Sequence, residues 1–271
     1  MNTELAIDIK HANVFLGGRE IIHDLNWQVA KGGRCFILGA NGAGKTTLVK
    51  TMMGYAWPKF GATVDVLGNR FGQTNLVELR KKIAWVSPFM SQFTNTESTG
   101  LEMVLSGFDG TLGLTRKATA EEVDTAKALM ERFRCAHLID QEIFTMSSGE
   151  QVKIMIARAL LTKPELVILD EPSVYLDMAG REFLLEEIRQ IAENAGVDGS
   201  IVYDKVTIIF ITQRIEDILP VFNEGMILAK GRIVEYGDRE TVLREEVLSA
   251  AYGLPIKLWK NKSGRFWAML E

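Results

Sequence analysis

The chain has 271 residues, 47% hydrophobic and 24% charged, the balance of an ordinary soluble globular protein with room for one large α/β domain or two small ones. Its net charge of −4 offers no basic footprint for nucleic acid. Two distant cysteines, Cys35 and Cys135, with no CxxC spacing speak against a disulfide scaffold or a zinc site, and no apolar run nears the ~18 residues of a spanning helix.

Met1-Asn2-Thr3-Glu4 lacks the basic and apolar segments of a signal peptide, so any membrane process served by this chain needs another chain to cross the bilayer. Residues 5–38 alternate apolar and polar positions (Leu5, Ile7, Ile9, then Ile22, Leu25, Trp27, Val29) around Gly17-Gly18 and read as short antiparallel strands. Phe15 is of the right type to stack on an adenine ring, but a core strand residue is the reading favoured by its surroundings. Cys35 reads as a buried small hydrophobe.

The apolar run Cys35-Phe36-Ile37-Leu38 leads into Gly39-Ala40-Asn41-Gly42-Ala43-Gly44-Lys45-Thr46-Thr47 and then into a helix closed by Gly54. The spacing G-x-x-x-x-G-K-[ST] is that of a phosphate-binding loop. Few Cβ atoms let successive N–H groups converge on phosphate oxygens, and the helix adds its positive end. Lys45 is placed to reach the β- and γ-phosphates of a nucleotide, and the Thr46 hydroxyl to bind Mg²⁺.

Trp57-Pro58 and Gly61 mark a turn; Thr63 to Gly68 and Ile83 to Val86 read as strands. Residues 94–160 turn helical: Leu101, Val104 and Leu105 form a stripe, and the capping box Thr119-Ala120-Glu121-Glu122 precedes Val123, Ala126, Met130 and Phe133. Ser147-Ser148-Gly149-Glu150 is a second capping box. Continuous apolar runs at 166–169 and 206–211 predict parallel strands covered on both faces, separated by a helix over 179–195. A hairpin is expected over 225–234, and weak alternation around Trp259, Phe266 and Trp267 with a turn at 261–264 ends the chain.

The strand at 166–169 ends in Asp170-Glu171-Pro172, two carboxylates where open α/β sheets hold ligands. Asp170 suits a metal ion, and Glu171 suits polarisation of an attacking water. With these motifs in this order, residues 5–245 resemble the ATP-binding cassette (ABC) ATPases. Gly39 to Thr46 matches Walker A, and Met146 to Glu150 is similar to the Leu-Ser-Gly-Gly-Gln signature, with Ser148 for Gly and Glu150 for Gln. Leu166 to Glu171 matches Walker B with its catalytic glutamate, and Ser173 to Asp177 the D-loop.

The resemblance implies a P-loop NTPase core with a mostly parallel sheet (1–93 and 162–245), an N-terminal antiparallel β subdomain, a helical subdomain at 94–161 and a C-terminal extension at 246–271. It further implies MgATP held in a head-to-tail dimer, with Ser147 and Gly149 of one subunit on the γ-phosphate bound by the other, and a separate transmembrane partner at the cytoplasmic face. That partner's docking surface would lie around residues 85–110. Besides the signature, two further places depart from the family pattern. The glutamine normally found after the strand at 83–86 is replaced by Ser87-Pro88, leaving Gln92 four residues late as a metal contact, and the switch histidine is replaced by Gln213. This combination resembles a subgroup labelled as molybdate-type transporter ATPases. A soluble, non-transport cassette ATPase and a degenerate ATP-binding regulatory subunit are the competing readings; Gln213 favours the second, and Glu171 opposes it.

Overall fold

The computed structural model describes residues 4–87, 97–193 and 206–271. Strands β1 (Leu5–Leu16) and β2 (Arg19–Ala30) form one long antiparallel hairpin rather than several short strands. Gly17 and Gly18, with φ of 56° and 77°, supply the turn. Register breaks along the pair, among them those between Ile9 and Val14, accompany burial of Ile7, Ile9, Ala12 and Val14 on β1 and of Ile22, Leu25, Trp27 and Val29 on β2. Strand β3 (Arg34–Leu38) and helix α1 (Lys45–Met52) flank the glycine-rich loop. Then come β4 (Thr63–Val66), β5 (Asn69–Arg70), the short helix α2 (Leu76–Arg80) and β6 (Ile83–Val86). The antiparallel sheet has the order β2-β1-β4-β5.

Helices α3 (Gly100–Leu105), α4 (Ala120–Arg132) and α5 (Ser148–Leu160) occupy the stretch expected to be helical, and each begins with a complete capping box, on Thr99, Thr119 and Ser147. Strand β7 (Leu166–Asp170), helix α6 (Met178–Ala192) and strand β8 (Thr207–Thr212) return the chain to the sheet. Strands β9 (Glu224–Ala229) and β10 (Arg232–Asp238) form the expected hairpin through Lys230 and Gly231, followed by α7 (Arg239–Val242) and α8 (Glu245–Tyr252). Strands β11 (Ile256–Lys260) and β12 (Phe266–Leu270) make a separate two-stranded sheet.

The large sheet runs β10-β9-β3-β8-β7-β6, parallel throughout except at β10. Strands β3, β7 and β8 at its centre are buried on both faces, which is why they read as apolar runs, whereas the edge strand β10 has no buried residue. Phe36, Leu38, Val167, Leu169, Ile208 and Phe210 point into the core built with α3 to α6. Their neighbours Cys35, Ile37, Leu166, Ile168, Ile209 and Ile211 point into the core under α1 and the antiparallel sheet. Cys35 is fully buried, and that burial pushes its thiol pKa up, so it serves as packing. No described helix is long and apolar enough to cross a membrane.

Candidate functional site

The sheet order brings three motif segments together. Leu38 pairs with Thr212, and Asp170 pairs with Ile211, so β3, β8 and β7 end side by side. The chain leaves those ends as Gly39, Gln213 and Glu171. The Gly39 N–H donates to the Thr212 carbonyl at 3.3 Å and the Glu171 N–H to the Ile211 carbonyl at 2.9 Å, locking the three exits in one plane.

Between β3 and α1 the loop turns through Gly42 (φ 79°) and Gly44 (φ 106°). Gly44 begins α1 without any side-chain cap, whereas α3, α4 and α5 are capped by their own side chains. An uncapped helix start beside a glycine-rich turn fits phosphate oxygens. Ala40, Asn41, Gly42 and Thr46 are exposed at the mouth, while Gly39, Ala43, Gly44, Lys45 and Thr47 are buried beneath. The Lys45 ammonium folds back across the loop, donating to the Gly39 and Ala40 carbonyls at 2.7 and 3.0 Å and pairing with Glu171 Oε1 at 2.9 Å. It is one cation spanned by both ends of the site, and it sits where phosphate negative charge would compete for it.

Glu171 adopts a positive φ of 51°, a strained conformation for a residue with a Cβ. That twist turns its carboxylate back toward Lys45. Asp170 is 3% exposed, and burial, then the charge of Glu171, pushes its carboxyl up to about 6. Its Oδ2 accepts from the Thr46 hydroxyl at 3.4 Å. A buried carboxylate with a raised pKa beside a hydroxyl is a hard-oxygen pair that a divalent cation would relieve. No group of three or more His, Cys, Asp or Glu arranged to hold a metal ion occurs among the described residues. Thr46 and Asp170 supply two hard oxygens, the kind of donor that Mg²⁺ takes alongside phosphate oxygens.

The other expected positions divide. Gln213 is half-buried and its side chain makes no hydrogen bond with a described residue. It does not cap a helix: the Thr212 hydroxyl accepts from the Arg214 N–H at 3.0 Å, and the 3₁₀ turn Ile215–Asp217 that follows has no side-chain cap. Phe15 is 41% exposed, not a core residue, because Ala12 and Val14 take the inward positions of β1. The Lys59 ammonium lies 5.6 Å from its ring centre. Ser147, Ser148, Gly149 and Glu150 open α5, and no hydrogen bond or ion pair joins them to the glycine-rich loop of the same chain. Ser147 and Glu150 are bound to each other instead, backbone and hydroxyl both donating to Glu150 Oε2 at 2.8 Å, with the His137 ring 3.5 Å from the other oxygen. Asp177 caps α6 by accepting from the Gly180 N–H at 2.7 Å. Gln92 lies outside the described residues.

Two further features surround the site, the first within the stretch 85–110 expected to carry a docking surface and the second without a sequence signal. The first is an open cleft of about 400 Å³ between the core and the helical region, walled by Tyr55, Arg80, Trp85, Phe108, Asp109 and Arg158. Arg158 is buried there and binds the Thr111 carbonyl and the Ser106 hydroxyl, with desolvation lowering its pKa to about 10. The second is a polar network behind the site: Ser173 donates to the fully buried Asp217 at 2.5 Å, and Arg181 lies 3.4 Å from the same carboxylate. The cleft's other walls, Tyr55, Arg80 and Arg158, and the whole Ser173–Asp217–Arg181 network have no local sequence signal, since these partners come from distant parts of the chain.

The ABC transporter family profile matches residues 22–174. The chain belongs to that family, as its ATP-binding cassette: an ATPase that couples ATP hydrolysis to transport. It is 33% identical over 268 residues, 98% of both chains, to YlmA, an uncharacterized ABC transporter ATP-binding protein of Bacillus subtilis (strain 168). Its fold is similar to that of an inward-facing transporter described as of metal-chelate ABC type, with a TM-score of 0.78, 22% identity and 99% of both chains covered. It is also similar to the cassette MJ0796, solved as a dimer in a post-hydrolysis state with ADP and Pi, with a TM-score of 0.71, 18% identity, and 86% of this chain and 98% of that one covered.

Proposed function

We propose that this cassette binds MgATP on Gly39, Asn41, Gly42, Ala43, Gly44, Lys45, Thr46 and Thr47, and hydrolyses it with Glu171 orienting the attacking water. The observation that carries the reading is the convergence of the β3, β7 and β8 exits, which gathers Lys45, Asp170, Glu171 and Gln213 around one loop mouth. Thr46 and Asp170 would hold Mg²⁺, whose chemistry is to neutralise charge on the β- and γ-phosphates. Lys45 leaves the Gly39 and Ala40 carbonyls and Glu171 for the phosphates. Glu171, released from that pair, takes the proton of the water it orients.

Gln213 stands in the switch position and makes this a slow enzyme. Its amide keeps a donor and an acceptor but cannot become a cation. Losing one charged positioning contact of this kind costs on the order of tenfold to a thousandfold in rate. The complementary half of each site, Ser147, Ser148, Gly149, Glu150 and Asp177, comes from a second cassette, in keeping with their separation from the loop within one chain. Phe15, exposed at the end of β1, offers the adenine a stacking face. The cleft beside Trp85 and Phe108 receives a segment of a separate transmembrane subunit at the cytoplasmic face. Gln92 as a further metal contact and the molybdate-type subgroup rest on the sequence pattern alone.

Calorimetric titration with MgATP tests the loop. Lys45→Ala is expected to lose most affinity while its circular dichroism spectrum is unchanged; retained affinity overturns the assignment. Gln213→His tests the switch: turnover rises at similar ATP affinity if position 213 limits the rate, and stays level if it does not.

A further inference from the structure

We propose that Arg265, in the C-terminal hairpin, is a positioning residue for ATP hydrolysis, clamping the turn that follows Gln213 against helix α6. Its guanidinium is almost covered, with its side chain 12% exposed. Nε and Nη2 both donate to the Glu216 carbonyl, at 3.0 and 2.7 Å. Nη1 and Nη2 bind the two oxygens of Glu182 at 2.5 and 3.0 Å. The fork thus joins the 3₁₀ turn Ile215–Asp217 to α6 with four hydrogen bonds, in the bidentate geometry only arginine provides. Trp267 lies beneath the guanidinium at 5.3 Å, and Asn261 Oδ1 fixes the Arg265 backbone at 2.9 Å.

Both elements that Arg265 joins run directly into candidate site residues, Gln213 on one side and Asp177 on the other. The turn begins two residues after Gln213, and α6 begins one residue after Asp177, the last residue of the D-loop segment. A second layer lies beneath the clamp: Ser173, two residues after Glu171, donates to Asp217 at 2.5 Å, while Arg181 approaches Asp217 at 3.4 Å and Glu216 at 3.6 Å. The turn is therefore held from β7's exit, from α6 and from the hairpin. Gln213 has no side-chain hydrogen bond of its own among the described residues, so its position is inherited from the turn that follows it. A purely packing role for the hairpin would be met by Ile256 and Phe266, which are buried. Arg265 instead directs its donors to a backbone carbonyl and a carboxylate outside its own hairpin. The hairpin then sets the rate of hydrolysis through the placement of position 213, with no contact to ATP.

This inference rests on the reading of Gln213 as the switch residue, so the test carries both. Steady-state phosphate release, MgATP affinity and thermal unfolding are measured on the full chain for Arg265→Ala, Arg265→Lys, Gln213→Ala and the Arg265→Ala/Gln213→Ala pair. Arg265→Ala is expected to lower kcat on the order of tenfold at unchanged affinity. Lysine, which keeps the charge but not the fork, recovers only part. The double variant is expected to be no slower than Gln213→Ala alone, since both act through one position. Glu182→Gln removes one arm of the clamp without touching the hairpin and gives a smaller loss of kcat, which keeps the test open if Arg265→Ala unfolds. A normal kcat in both Arg265→Ala and Glu182→Gln, with Gln213→Ala slow, overturns the clamp and leaves the switch standing. A normal kcat in Gln213→Ala overturns the switch and with it the route claimed for Arg265. Losses that multiply in the double variant also overturn that route.

Discussion

Two glycines mark where the backbone of one segment lies against another. A Cβ on Gly39 would lie 2.4 Å from the Leu228 carbonyl oxygen and 3.1 Å from the Ala43 Cβ. Backbone on β9 cannot move aside as a flexible side chain would. Gly39→Ala is therefore expected to destabilise the chain by about 1–3 kcal/mol, read as a lower urea midpoint. Gly231→Ala should cost more: its Cβ would meet the Ile21 carbonyl oxygen, and its φ is already 72°. Equal midpoints for both variants and the parent would mean that these approaches are not close in solution. Gly39 was visible in the sequence as the first glycine of a phosphate loop, but the reason it must be glycine was not. The atom it avoids belongs to β9, far along the chain. Glu171 is similar: its place after the buried strand was legible, and its positive φ and pairing with Lys45 were not.

At the scale of the element, the starts of α4 and α5 are legible because each depends on four consecutive residues, whereas the Thr99 box that opens α3 is not among the expected ones. The Thr119 and Ser147 capping boxes stand as their spacing predicts. Ser147→Ala should cost about 1 kcal/mol of stability, read from the same unfolding curves. Glu122 in the box opening α4 also receives Arg116 at 2.8 and 2.6 Å, and that contact holds its carboxyl down from 4.5 to about 2. The folded pKa lies below the unfolded one, so the pair contributes fully above pH 4.5 and is lost as the pH falls toward 2. The difference in thermal midpoint between the parent and Glu122→Gln should accordingly shrink across that window. A difference that stays constant down to pH 2 would show that ionisation of Glu122 is not what stabilises α4. The Arg116 contribution was not legible, since the loop from Asp109 to Arg116 has no periodicity that announces where it folds back.

At the scale of the whole molecule, the start of α5 and the phosphate loop of one chain share no hydrogen bond or ion pair, as the proposed two-chain site requires. Glu171→Gln, which removes the carboxylate proposed to activate water, is expected to accumulate an ATP-bound dimer in size-exclusion chromatography with MgATP. A variant that stays monomeric at high protein and ATP concentration would instead favour a different partner cassette. The cleft by Trp85 and Phe108 belongs to the same scale, because Tyr55 and Arg80 from the core meet Phe108 and Arg158 from the helical region only after both have folded.

The sequence by itself determined what short-range physics controls. A strand, a glycine-rich loop and a helix in succession define a phosphate site, Ser-x-x-Glu starts a helix, and an unbroken apolar run demands cover on both faces. Tertiary structure decided what depends on which segments become neighbours. The order β3-β8-β7 put Gly39, Gln213 and Glu171 side by side, and the inward turn of Ala12 and Val14 left Phe15 exposed. The last hairpin came to rest on the turn after Gln213, through one guanidinium whose partners lie on two distant segments. Local patterns are encoded within a few residues of themselves; sheet order and long-range pairing are settled by packing the whole chain at once, and no single stretch of sequence contains them.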